Sequence, residues 1–137
     1  MMANTALTEE FEWINPQNLF HLIVVHEENG VSVQLEYRWV NPLIAADFLI
    51  QNFTKQTPTA YLLNTVPVDE LEHSVSAIRP DDTQQILLGI SADEPCLALH
   101  RRSWSKGAVV TVATLIYPAS RYALFSRYKT NAQGKPL

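Results

Sequence analysis

The chain has 137 residues, 47% hydrophobic and 18% charged, with a net charge of −4 and a pI near 5.5. That length predicts one domain, and the composition excludes a disordered chain. The basic residues are few and scattered (Arg101-Arg102, Lys106, Arg121, Arg127, Lys129), which argues against a self-sufficient grip on nucleic acid or on an anionic membrane. The single cysteine, Cys96, allows no internal disulfide and fits a reducing cytoplasm. No apolar run reaches the roughly 18 residues needed to span a bilayer, and Met1–Ala6 lacks the basic and apolar regions of a signal peptide.

Residues 1–18 read as an N-terminal arm, irregular or a short helix, in which Phe11 and Trp13 dock somewhere and Asn15-Pro16 ends the element. Leu19 to Pro42 then reads as two strands joined at Asn29-Gly30, a dipeptide in which both residues tolerate positive φ. On the second strand Val31, Val33, Leu35, Tyr37 and Trp39 alternate with Ser32, Gln34, Glu36 and Arg38, the period of a strand with two unlike faces. The polar face either meets water or forms a pocket floor, a carboxylate and a guanidinium held on a rigid sheet. The loop length decides which side His26 takes. A two-residue loop puts His26 opposite to Glu36, whereas a three-residue loop Glu28–Gly30 with a bulge at Gly30 puts them together. We expect the second register.

Asn41 and Pro42 suit the N-cap and first position of a short helix burying Leu43, Ala46, Ile50 and Phe53. Thr57-Pro58 repeats the device for a helix burying Leu62 and Leu63. Val66–Arg79 reads as a long strand with Leu71, His73, Val75 and Ala77 in one row, and His73 as an edge residue. Asp81, Gln84 and Gly89 form the capping box and left-handed terminator of a compact helix. A turn at Ser91–Pro95 leads to a second hairpin, Cys96–Ser105 and Val109–Pro118 around Lys106-Gly107. The order helix, turn, strand, Gly turn, strand is faintly repeated in the first half, whose opening helix is not recognisable. A short strand at about Tyr122–Ser126 precedes a flexible tail, residues 129–137. The sum is an α+β domain: an antiparallel sheet of about five or six strands with short helices on one face.

Catalytic motifs are absent: there is no G-x-S-x-G, P-loop or H-E-x-x-H. Cys96 follows Pro95 into an apolar strand and reads as an inert buried thiol. The four histidines have no metal-ligand spacing, and no cofactor is expected.

The stretch DDTQQILLGISADEPCLALHRRSWSKGAVVTVATLIYPASRY resembles the end of a UTRA domain, the effector-binding module of GntR-type transcription regulators of the HutC subfamily. QLEYRWVNP and FTKQTPTAYL extend the likeness into the first half and point to the branch that governs histidine breakdown. It runs from about Leu19 to Tyr128. The resemblance implies a chorismate-lyase-like fold, a homodimer, and a winged helix-turn-helix that this chain lacks, through which alone operator DNA would be bound. It implies residues 19–128 as the ligand-binding domain and urocanate as the effector. The two arginines that sugar-phosphate-sensing members carry on the first hairpin strand match Val24 and His26, which disfavours a sugar phosphate. The family's hairpin glutamate matches Glu36. Its Ser-x-Tyr pair at a helix start matches Thr59 and Tyr61, and its late-strand glutamate and tyrosine match Thr111 and Tyr117, Thr111 without the carboxylate. Urocanate is a flat imidazole joined to a carboxylate. Glu36 can accept an imidazole N–H, Arg38 or Arg101 can grip the carboxylate, and Tyr61, Tyr117 and His26 can stack or hydrogen-bond. The expected protein is a cytoplasmic, non-enzymatic sensor. The competing readings are a chorismate-lyase-like enzyme acting on a small cyclic carboxylate and a dimerisation module with a vestigial pocket.

Overall fold

The computed structural model describes residues 1–134. In chain order the elements are α1 (Thr5–Glu10), β1 (Phe20–Glu28), β2 (Val31–Val40), a single 3₁₀ turn (Phe48–Ile50), α2 (Pro58–Thr65), β3 (Glu70–Ile78), α3 (Asp82–Leu88), β4 (Cys96–Ser105) and β5 (Ala108–Pro118). The strands form one five-stranded sheet in the order β1-β2-β5-β4-β3, with every neighbouring pair antiparallel. The strand expected at about Tyr122–Ser126 does not form. The expected tail reaches past residue 134 and lies partly outside the described residues.

Both hairpins turn on two left-handed residues, Asn29 (φ 52°) with Gly30 (φ 79°) and Lys106 (φ 51°) with Gly107 (φ 81°). The first loop is therefore two residues long, with Glu28 paired to Val31, and the expected three-residue loop is corrected. His26 nevertheless shares a face with Glu36. Glu27 pairs with Ser32 but His26 pairs with Gln34, so Val33 is an extra residue that restores the parity the loop alone would have lost. The second hairpin does the same: Trp104 pairs with Val109 and Ser103 with Thr111, leaving Val110 extra.

The likeness between the halves goes further, and it supplies the missing helix. The N-cap Asn4 accepts from Leu7 N as the N-cap Asp81 accepts from Gln84 N. Each helix is followed by a left-handed residue, Glu12 (φ 59°) and Gly89 (φ 63°). Each is closed by the same backbone bond, Trp13 N to Thr8 O and Ile90 N to Gln85 O, both 3.0 Å. Asn4, Glu12 and Asn29 are spaced along the chain as Asp81, Gly89 and Lys106 are. The chain is thus two copies of one helix–hairpin unit, with the segment from Asn41 to β3 inserted between them.

The helices cover both faces of the sheet rather than the single face expected. On one face α1 and its flanks bury Ala3, Leu7, Phe11 and Leu19 with Trp104 and Val112, while α3 sets Leu88 against Leu35, Ala98 and Ile116. On the other, α2 and the 3₁₀ turn bury Phe48, Leu62 and Val66 against Val40 and Val110. The helix expected after Asn41 is corrected to turns plus the 3₁₀ piece. Asn41 spends its side chain accepting from Leu43 N and donating to Val109 O, and the following bonds close over three residues (Phe48 N to Ala45 O, Gln51 N to Phe48 O). Ala45 and Phe48 are the buried residues there, while Leu43 (82% exposed) and Ile50 (80%) face out. Leu63 is likewise more than half exposed, so only Leu62 of its pair is buried.

Candidate functional site

The α2 face of the sheet carries the polar residues. In one row across the strands, Arg38 pairs with Ala113, Ala113 with Arg101 and Arg101 with His73. Ala113, between the two arginines in that row, is fully buried. In the next row lie Glu36 and Leu115, and on the other side Thr111 and Ser103. Thr59 comes from the first turn of α2, which starts here because Thr57 caps it by accepting from Ala60 N and Pro58 takes its first position.

Arg38 is 1% exposed and Glu36 2%. Charges this deep persist only when paired and hydrogen-bonded. Arg38 donates from Nε to Glu36 Oε2 (2.6 Å), from Nη1 to Thr111 Oγ1 (3.2 Å) and from Nη2 to Thr59 Oγ1 (2.8 Å). Thr111 in turn donates to Trp39 O (2.9 Å). The other carboxylate oxygen of Glu36 meets His26 Nε2 at 2.8 Å. Burial pushes the Glu36 carboxyl up, but the His26 hydrogen bond and the Arg38 charge outweigh it and hold it below the usual carboxylate range. The ionised carboxylate only accepts, so the proton of that bond sits on His26 Nε2.

Beside this network lies a cavity of about 220 Å³. Arg38, Thr59, Thr111, Ser103, Arg101 and His73 line its polar side, and Leu62, Leu63, Val68 and Leu71 its apolar side. Arg101 Nε donates to His73 Nε2 (3.0 Å). Burial and then the neighbouring Arg38 charge lower the Arg101 pKa, and burial and Arg101 lower that of His73.

Of the residues expected at a site, Arg38, Thr59, Arg101 and Thr111 line the cavity. Glu36 and His26 are joined to it through Arg38, and the cavity wall does not include them. His26 and Tyr117 instead border a separate depression with Arg121 and Tyr122, where Tyr117 accepts from Gln34 (2.7 Å) and stacks on Tyr122 at 4.0 Å. Tyr61 packs with Phe48 and Phe53. It sits two residues after Thr59 on a helix, and such neighbours point to different sides. Sequence reasoning missed Ser103 and His73 as wall residues. The signal available was that Ser103 follows Arg101 by one strand period; the pairing that sets His73 opposite Arg101 was not readable.

The chain, an antiparallel sheet with a buried charge network beside a small mixed cavity, belongs to the UTRA domain family, whose model matches residues 1–123. Within that family it is similar to histidine utilization repressors. It is 50% identical over 112 residues to the Histidine utilization repressor of Pseudomonas putida, covering 82% of this chain and 45% of the relative, and 43% identical over 110 residues to that of Klebsiella aerogenes, covering 80% and 46%. The crystal structure of the C-terminal domain of the histidine utilization repressor from Pseudomonas syringae pv. tomato matches with a TM-score of 0.90 and 42% identity, over 95% of this chain and 92% of that one. PhnF from Mycobacterium smegmatis shares the fold, with a TM-score of 0.82 at 17% identity over 96% of this chain and 59% of that one. The chain spans about half the length of the curated relatives it matches. These relatives are named as repressors, so the enzyme reading is set aside and the chain is an effector-binding regulatory domain. Among the described residues no helix is long and apolar enough to cross a membrane.

Proposed function

We propose that this domain senses urocanate for a cytoplasmic repressor of histidine breakdown, as a homodimer, and that DNA is bound by a separate winged helix-turn-helix. The observation that carries the reading is the cavity. Its volume of about 220 Å³ suits a small molecule, its apolar wall suits a flat ring, and its polar wall is cationic and hydroxylic, with no Asp or Glu in it. A planar acid with an N–H donor is complementary to that set. Arg38, Thr59 and Thr111 hold one end of the site in place, and Glu36 with His26 fix Arg38 from behind. Ligand changes the regulator only as far as it prefers one arrangement of it.

Calorimetric titration of this chain with urocanate, histidine and a sugar phosphate tests the reading. Heat from urocanate alone is expected. Binding of the sugar phosphate in its place, or of none of the three, would sink the urocanate assignment and leave the effector-binding fold standing.

A further inference from the structure

Resting on that reading, we propose that the carboxylate of the ligand is received by Arg101 together with the Ser103 hydroxyl, and that Arg38 is a positioning residue. The two arginines flank the same cavity but differ in what they have left to give. Each nitrogen of Arg38 already donates once, so three of its five N–H groups are used, and Glu36 neutralises its charge at 2.6 Å. Arg101 uses Nε alone, on the neutral acceptor His73, and among the described residues no carboxylate lies in ion-pair contact with it. Its two terminal nitrogens are uncommitted, a fork that matches the two oxygens of a carboxylate.

Ser103 gives the second, independent sign. It is 3% exposed, lines the cavity, and its Oγ is one of two buried side-chain polar atoms among the described residues with no hydrogen-bond partner. A buried hydroxyl without a partner is a cost that a ligand acceptor removes. Ser103 stands one strand period from Arg101 on the same face, so one carboxylate can take both. His73 accepts from Arg101 Nε and so fixes the guanidinium plane before the ligand arrives, which lowers the ordering cost of binding.

Two probes test this. Acetate, at rising concentration against a sodium chloride control, is added to the isotope-labelled chain while the arginine Nε signals are followed. The Arg101 signal is expected to move and the Arg38 signal to stay. An unmoved Arg101, or a shift at Arg38 instead, overturns the proposal whatever the effector is. Urocanate and its uncharged amide are then titrated against the wild type and Arg101→Gln. Urocanate is expected to weaken by between about 10- and 100-fold while the amide changes little. Equal weakening of both, or none, overturns the assignment. If the wild type binds neither compound, the urocanate reading fails and the acetate result still decides the carboxylate site. Ser103→Ala, which removes one oxygen atom, is expected to weaken urocanate by about 10-fold; unchanged affinity removes Ser103 from the carboxylate site.

Discussion

At the scale of single residues the site is governed by the cost of burying charge. Glu36 and Arg38 are both almost fully buried, so removing one partner strands the other. Glu36→Gln is expected to cost about 3–5 kcal/mol of folding stability, read by urea denaturation. The pair Glu36→Leu with Arg38→Met should cost less than either change alone, because no charge is left without a partner. The pH dependence has a definite sign. The carboxyl of Glu36 lies below its ordinary value in the folded state, so its contribution is present above the unfolded value and is lost as pH falls through the folded one. Denaturation midpoints of the wild type should drop through the acidic range below the usual carboxylate pKa, and Glu36→Gln should flatten that drop. A wild-type curve no steeper than the mutant's would rule the argument out. Phe48, fully buried beneath α2, is the corresponding apolar case, and Phe48→Ala should cost about 3–5 kcal/mol.

At the scale of elements, local rules account for what was legible beforehand. The capping box of α3, the Thr57-Pro58 start of α2 and the turns at Asn29-Gly30 and Lys106-Gly107 formed where their sequences place them, because each is decided within a few residues; the length of the first loop, expected as three residues, is two. Gly89 tests this cleanly. Its φ is +63° and a Cβ there would meet nothing within 4 Å, so Gly89→Ala should cost about 1–2 kcal/mol from backbone strain alone, measured by thermal denaturation. The features that were not legible depend on partners distant in sequence. Whether Val33 bulges cannot be seen in its own strand, yet it sets the side on which His26 stands. The segment after Asn41 has helix-start chemistry, but Asn41 is claimed by Val109 O on a strand far along the chain. Residues 1–18 read as irregular or a short helix, but that helix was not recognisable as the opening of the first copy, because Glu12 fills the left-handed position that Gly89 advertises in the second copy. Its side chain is held by Trp104, which donates from Nε1 at 2.8 Å. For the site, Arg38, Thr59, Arg101 and Thr111 came from resemblance and from alternation, while Ser103 and His73 needed the assembled sheet.

At the scale of the whole molecule, the two units meet where β2 pairs with β5, and the site spans that seam: Arg38 and Glu36 belong to the first copy, Arg101, Ser103 and Thr111 to the second. Neither copy alone could make the cavity. The far face of the same sheet holds α1. His100 Nε2 meets Glu10 Oε2 at 3.0 Å, Arg102 donates to Glu10 O at 2.9 Å, and Trp104 reaches Glu12. The Arg102–Glu72 pair beside them is partly exposed, and such pairs contribute little to global stability. Arg102→Gln should therefore leave the denaturation midpoint within about 1 kcal/mol of wild type while speeding amide exchange in Thr5–Glu10, measured by hydrogen–deuterium exchange; unchanged exchange there would show that the other contacts suffice. One strand thus serves two masters. The odd-numbered residues Arg101 and Ser103 of β4 look into the cavity, and the even-numbered His100, Arg102 and Trp104 look at the N-terminal helix. The two sets hang from one ribbon of backbone like the pans of a balance, so β4 joins the cavity to the footing of α1 with no relay of side chains threaded through the core between them.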